Sequence, residues 1–277
     1  MSHRTAVHGI AEIGFGVSEG ATRLTHLYER NPLRVLFPAV EDVPTGVLVT
    51  TSGGLVAGDR IEVTIRAGKG ATAHVTGSAA EKIYRSTGAT TEIEQAFVIE
   101  DGGWLEFLPP ETIVFDRARL RRATRVDLQV GGGFLGGGIL VFGRLAMGER
   151  FRTGLLHEGW EVYRDGGVVW GDALHVEDDV TSIMDHPACF AGAEACATLV
   201  FAPGGVEPRS FVDAARAVQR QTAEENLRSG VTVVNGLFVA RWLGDAMKLR
   251  RAYAELACHL RAAAMGLPPR LPRLWHI

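Results

Sequence analysis

Apolar residues alternate with polar residues or glycine through the first two thirds of the chain: Ala11, Ile13, Phe15 and Val17, then Ile61, Val63 and Ile65, then Val126, Leu128 and Val130. Successive side chains of a strand point to opposite faces, so this period of two predicts half-buried strands. Strands are expected to dominate residues 8 to 205. Asp101-Gly102, Asp165-Gly166 and Asn235-Gly236 fall between such runs. Their residue types suit the two positive φ angles of a type I′ turn, which predicts hairpins and antiparallel pairing. A helical period emerges only late in the chain. Pro208 to Ser229 sets Phe211, Ala214, Ala215 and Val218 on one side, with Ser210 as N-cap and Gly230 as stop. Asp245 to Met265 sets Met247, Tyr253, Leu256, Ala257 and Leu260 near one face and ends at Gly266, with Pro268 behind it. The expected architecture is mostly β, antiparallel and layered, a single domain over residues 1–277 with two C-terminal α-helices. No repeat or low-complexity linker divides it. The closing segment, Pro268 to Ile277, carries Trp275, too large to leave loose cheaply, and is expected to pack on the sheet.

Composition adds limits. The chain has 277 residues, 46% hydrophobic and 22% charged, with a formal net charge of −3, the balance of a folded protein with a sizeable core. That charge gives no field to collect nucleic acid, which is held mainly by phosphate neutralisation. Glycine is the outlier, 34 residues where average usage of about 7% gives roughly twenty, so many tight turns are implied. The uncharged stretch Gly131 to Gly143 is mostly glycine, unlike the roughly 20 apolar residues of a membrane-spanning helix. Met1 to His8 shows no apolar secretory core, which makes cytoplasm the expected location. Cys189, Cys196 and Cys258 include no C-x-x-C pair and read as free thiols.

The common catalytic motifs fail on their chemistry. Gly53-Gly54-Leu55-Val56-Ala57-Gly58 supplies half a P-loop, yet Asp59-Arg60 follow where Lys-Ser/Thr must stand. Gly131 to Gly136 fits G-x-G-x-x-G but runs into a strand-like segment, not the helix that holds a pyrophosphate. Gly77-Ser78 lacks the G-x-S-x-G frame, Ser78 to Lys82 is one residue too long for S-x-x-K, and H-E-x-x-H is absent. What remains is a scatter of acids beside glycines or within apolar strands: Asp59, Glu111 and Asp116 bracketing Thr112 to Phe115, Glu149, and Asp172. An acid among buried residues must be ion-paired, hydrogen-bonded or bound to a cation. Turn caps and ion pairs with Arg60, Arg117 or Arg150 are the structural alternative. Arg117, Arg119, Arg121 and Arg125 share one side of a strand, the pattern of a solvated face or of one turned to an acidic partner.

Particular strings resemble the urease accessory protein family UreD, also called UreH. They are Gly53 to Asp59, Ala80-Glu81-Lys82-Ile83-Tyr84-Arg85-Ser86, Trp104 to Asp116, Gly143 to Glu149, Arg228 to Arg241 and the closing Pro272-Arg273-Leu274-Trp275, in family order over nearly the whole chain. The resemblance implies a non-enzymatic maturation factor. Such proteins partner with UreF, recruit the GTPase UreG through it, and dock on apo-urease while Ni2+ is delivered. No tightly bound cofactor is implied. Oxygen ligands placed singly along a wet passage let a transient cation leave, where a His/Cys cluster would hold it. The resemblance puts Asp59, Glu111, Asp116, Glu149 and Asp172 near such a passage. Two departures stand out: Gly137-Gly138 where relatives carry a Trp and an acid, and Thr51-Ser52 in place of Pro-Pro. The rival from another class is a β-rich metal-dependent enzyme acting on a small molecule, with Asp59, Glu149 and His74 as ligands.

Overall fold

The structure, a computed structural model, describes residues 6–276. In chain order its strands are β1 (His8–Ser18), β2 (Ala21–Arg30), β3 (Leu33–Leu36), β4 (Thr45–Thr50), β5 (Arg60–Ala67), β6 (Thr72–Gly77), β7 (Glu81–Ile83), β8 (Thr91–Ile99) and β9 (Trp104–Phe107). Then follow β10 (Thr112–Val114), β11 (Arg119–Leu128), β12 (Gly133–Phe142), β13 (Thr153–Arg164), β14 (Gly167–Asp179), β15 (Ala195–Pro203), β16 (Leu227–Val234) and β17 (Leu237–Gly244). Three helices, α1 (Val180–Asp185), α2 (Val212–Gln221) and α3 (Ala246–Met265), lie in the last hundred residues.

Two sheets form the body. The first has 7 strands in the order β14-β13-β11-β8-β5-β1-β2. The second has 10, running β16-β17-β15-β12-β9-β6-β4-β3, with β10 against β12 and β7 against β10. The strand-rich, layered body with helices toward the C-terminus is what the hydrophobic pattern predicts. Its predicted inward positions are buried: Ala11, Ile13, Phe15, Ile61, Val63, Ile65, Val126 and Leu128 lie between the sheets. Val17 and Val130, at or past strand ends, are exposed.

Pairing differs from the antiparallel expectation in the middle of both sheets. β1, β5, β8, β11 and β13 are parallel neighbours, as are β4, β6, β9 and β12. Antiparallel pairs are confined to the flanks, among them β1 with β2, β13 with β14, and β15 with both β12 and β17. The cause is the corner geometry. From β4 to β13 the chain crosses between sheets, so each circuit lays its strands parallel to those of the one before. Asp165 (φ 51) with Gly166 (φ 80), and Asn235 (φ 48) with Gly236 (φ 76), have both positive φ angles and close true hairpins. At Asp101-Gly102 only Gly102 is positive, and the turn carries the chain from β8 of one sheet to β9 of the other. Gly103 completes that corner, where a Cβ would stand 3.0 Å from the carbonyl oxygens of Ala67, Glu100 and Gly68.

The second core lies on the outer side of the larger sheet, under α2 and α3, and includes Trp104, Leu135, Phe201, Phe238, Tyr253 and Leu256. The first late helix is shorter than predicted. It stops at Gln221, where the Thr222 hydroxyl donates back to the Val218 carbonyl at 3.1 Å, and residues 227–234 pair with β17 instead. A continuous antiparallel ladder outcompetes the weak helical period of that stretch. The second helix runs from an Asp245 cap to Gly266 in the left-handed region, as expected. The tail returns to the sheet: Trp275 is buried, its indole N–H donates to the Leu108 carbonyl at 2.8 Å, and its ring stacks on Tyr253 with centroids 6.0 Å apart. No helix among the described residues is long and apolar enough to cross a membrane.

Candidate functional site

Strand β11 reads Arg-Leu-Arg-Arg-Ala-Thr-Arg-Val-Asp-Leu, and its alternation assigns Leu120, Arg122, Thr124 and Val126 to the inner face. An arginine therefore sits in the apolar phase. Strand β13 does the same with Leu156, Glu158, Trp160 and Val162. Arg122 and Glu158 are register neighbours on adjacent parallel strands, and both are buried. The Arg122 Nε donates to Glu158 Oε2 at 2.6 Å, and its Nη1 crosses to the opposite sheet to donate to Thr112 Oγ1 at 2.9 Å. The Trp160 indole donates to the other Glu158 oxygen at 3.1 Å. Such a pair is tolerated in a dry interior only because its charges and donors are answered.

One cavity is lined by Arg122 of this pair, and a second lies nearby. The first, of about 170 Å³, is lined by Thr50, Gly53, Glu81, Gln95, Thr112 and Arg122. In it Thr50 Oγ1 donates to Glu81 Oε2 at 2.6 Å, while burial raises the Glu81 carboxyl above the ordinary carboxylate range. The other, of about 400 Å³, is lined in part by Asp172, Cys196, Thr198, Arg228, Arg241 and Trp242. Arg241 Nη2 lies 2.6 Å from Asp172 Oδ2. Burial pushes the Cys196 thiol up to about 12, and Glu158, Arg241, Arg122 and Asp172 all lie within its electrostatic reach. A Cβ on Gly138 would stand 3.7 Å from Arg122 Nη2. An acid at 138 would thus face the same guanidinium that Glu158 now pairs. At Gly137 a Cβ would fall 2.0 Å from the Thr198 carbonyl oxygen, which leaves no room for any side chain on the present backbone. The result is a polar seam from the half-buried Glu81 through the buried Arg122 and Glu158 to the half-buried Asp172.

Of the five acids singled out in the sequence, only Asp172 lies on this seam. Asp59 is buried beneath the glycine loop, accepting from the Val7 N–H at 3.0 Å and the Val56 N–H at 2.9 Å. Asp116 accepts from the Arg152 N–H at 2.8 Å. Glu149 comes beside it, accepting from the Asp116 N–H at 3.2 Å, and the Arg144 guanidinium at 2.5 Å holds its carboxyl below the ordinary range. Glu111 faces α3, with Arg250 Nε at 3.2 Å. The three ligands of the rival enzyme are kept apart: His74 is bonded to Glu106 in the second sheet, while Asp59 and Glu149 have the partners just given. No group of three or more His, Cys, Asp or Glu suited to a metal occurs among the described residues.

Sequence reasoning missed Glu81, Arg122, Glu158 and Glu106. A signal for two of them was present. Arg122 and Glu158 are charges in phase with leucine, valine and tryptophan, the mark of an inward-facing charge. The arginines flanking Arg122 are in the opposite phase: Arg119 pairs with Glu177 at 2.7 Å and Arg125 with Asp127 at 2.7 Å on the outer face.

The chain matches the family described as UreD urease accessory protein over residues 7–276. It is 42% identical over 276 residues to the urease accessory protein UreD of Magnetococcus marinus, covering 98% of this chain and 94% of that one. To the UreD of Azorhizobium caulinodans it is 39% identical over 269 residues, covering 96% and 95% of the two chains. The chain belongs to the UreD family of urease accessory proteins.

Proposed function

We propose that this chain acts as a non-enzymatic scaffold in urease maturation, binding UreF and, through it, UreG, and docking on apo-urease while Ni2+ passes to the active site. The observation that carries the reading is the interior seam. Burial raises the Glu81 carboxyl above its ordinary range, and a divalent cation beside it would offset the charge that burial disfavours. Asp172 offers a second oxygen donor at the far cavity. With the donors dispersed, an ion that enters is not trapped. Arg122 and Glu158 cancel one another between the two ends, so the seam carries no net charge there to oppose transit.

The partner reading is supported by the free edge of the first sheet. Among the described residues β2 pairs only with β1, and Leu24, Leu27 and Tyr28 are exposed along it. A long edge with apolar side chains is a ready docking surface and an association hazard when uncovered. The location that fits these roles is the cytoplasm, and the Ni2+ is cargo, not a resident cofactor. Expressing a urease operon with and without this chain, and measuring nickel per purified urease, tests the function. Equal nickel in the two preparations would sink it.

A further inference from the structure

The outer face of the first sheet carries two histidines. His157 on β13 and His175 on β14 are register partners on antiparallel strands, so their side chains leave the sheet on the same face. The rings meet edge to face, with centroids 5.5 Å apart and planes at 61°. His157 Nδ1 is closed to water and has no hydrogen-bond partner. Its Nε2 leans over Gly159, 3.3 Å from where a Cβ would stand there. The space beyond is open: a trough of about 730 Å³ has Ala123, Gly159, Gly171 and Ala173 among its walls. His175 is exposed, and its Nε2 lies 3.7 Å from Glu177 Oε2, beyond hydrogen-bond reach. That carboxylate is already engaged by Arg119 at 2.7 Å. Among the described residues neither imidazole is hydrogen-bonded, whereas His8, His26 and His74 each meet a glutamate.

Two imidazoles at this spacing suit one metal ion. A first-row cation bonds an imidazole nitrogen at about 2.0 to 2.1 Å, which sets the centroids of two rings on one cation roughly 5 Å apart. The observed spacing is close to that, and a turn of the exposed His175 about χ2, a broad torsion in histidine, aligns its nitrogen. The charged groups around the pair are Arg119 and Arg121 on β11, Glu177 on β14, and Glu158 on the inner face of β13. Arg121 is the register neighbour of His157. Burial first, then Arg121 and His175, lower the His157 pKa, and Glu158 opposes them. Arg121 repels a cation as it repels a proton, but a metal forms two bonds here where a proton forms one. Imidazole nitrogen selects zinc, nickel or copper over the oxygen-seeking magnesium and calcium.

We propose that His157 and His175 together hold one nitrogen-preferring divalent cation, through one nitrogen of each ring, with water in the remaining positions. The pair lies on the opposite face of the sheet from Arg122 and Glu158, so the urease reading stands or falls separately. The test uses the full chain with 15N-labelled histidine, Zn2+ as the probe and Mg2+ as the control. Zn2+ should shift one ring nitrogen of His157 and one of His175 with a single dissociation constant, and Mg2+ should shift neither. His175 is exposed, so His175→Ala should fold as the parent does, and it should weaken Zn2+ at His157 by more than about tenfold. His157→Asn is the reciprocal variant, with the same loss expected at His175. Arg121→Gln separates a cation site from an anion site. It should tighten Zn2+ by about threefold at low salt, a gain that high salt erases. Glu81→Gln with Asp172→Asn should leave the Zn2+ shifts unchanged. Separate dissociation constants at the two histidines, displacement by Mg2+, undiminished affinity in either histidine variant, weaker Zn2+ in Arg121→Gln, or loss of the shifts in the seam variant overturns the proposal.

Discussion

Arg122 and Glu158 stand on neighbouring parallel strands with Nε and Oε2 2.6 Å apart, and the same guanidinium reaches Thr112 on the opposite sheet. One arginine therefore ties the two layers together where the interior is polar. Its removal should be expensive and asymmetric. Arg122→Met leaves Glu158 buried with only the Trp160 indole, and such half-broken pairs cost about 3 to 5 kcal/mol. Arg122→Met combined with Glu158→Leu removes both charges, and should recover most of that loss. Urea unfolding of both single variants and the double variant checks this, and additive losses would show that the two side chains do not act as a pair.

Glu81, half-buried, and Glu106, fully buried, have opposite shifts, which gives opposite pH behaviour. Burial raises Glu81 above its ordinary value of 4.5, so the folded state binds its proton more tightly than the unfolded one does. Its charge then destabilises the protein as pH rises from 4.5 through the folded value. Glu81→Gln keeps an acceptor for Thr50 and should make the chain more stable at pH 7, the gain vanishing in acid. For Glu106 burial pushes up, but the bonds to His74 and Arg261 win and hold it below 4.5. Its stabilisation is present above 4.5 and is lost as pH falls through the folded value, so Glu106→Gln should lose stability at pH 7 and converge with the parent protein in acid. Melting temperature against pH distinguishes the two.

Trp275 tests how much the tail contributes. It is buried against Tyr253 and donates to the Leu108 carbonyl, at the end of a strand in the larger sheet. Trp275→Phe keeps the stacking and removes one of two donors to that carbonyl, to which the Thr76 hydroxyl still donates at 2.7 Å, so it should cost about 0.5 to 1.5 kcal/mol. Trp275→Ala adds the cavity, for about 3 to 5 kcal/mol. Similar small losses for both would mean that the segment is only loosely held.

The alternation of Ile61, Val63 and Ile65 with polar residues reveals a strand, and Asn235-Gly236 a hairpin, because both are local consequences of side-chain direction and φ. Strand pairing is not local. Asp101-Gly102 resembles Asp165-Gly166 in composition, yet one crosses between sheets and the other folds back within one, and Asp101 lacks the positive φ that Asp165 has. The site divides in the same way. Asp59 and Asp116 stand out as acids beside glycines or in apolar strings, but the backbone N–H groups of Val7 and Arg152 that they accept from lie far along the chain. Arg122 and Glu158 could be found by phase. Glu81 and Asp172 matter through the cavities that surround them, which arise only when distant strands close.

The last prediction separates acids that hold the fold from acids that serve the cargo. Asp59 and Glu149 accept backbone N–H bonds, so Asp59→Asn with Glu149→Gln loses charge-assisted acceptors and places amide donors against N–H groups. That double variant should be less stable, by about 1 to 3 kcal/mol, and any fall in urease activity should follow its lower abundance. Glu81→Gln with Asp172→Asn is different. Its first member relieves a buried charge, and its second breaks a partly exposed pair with Arg241 that is worth at most about 1 kcal/mol. The protein should accumulate normally, yet urease matured with it should carry less nickel, because the oxygen donors at both ends of the seam have lost their charge. The measurement is nickel per urease active site, with the accessory protein adjusted to equal amounts in every preparation. Full loading by a stable Glu81→Gln, Asp172→Asn protein would remove the seam from the route of the metal, and a loading defect confined to the Asp59 and Glu149 variant at matched abundance would move the route to those acids.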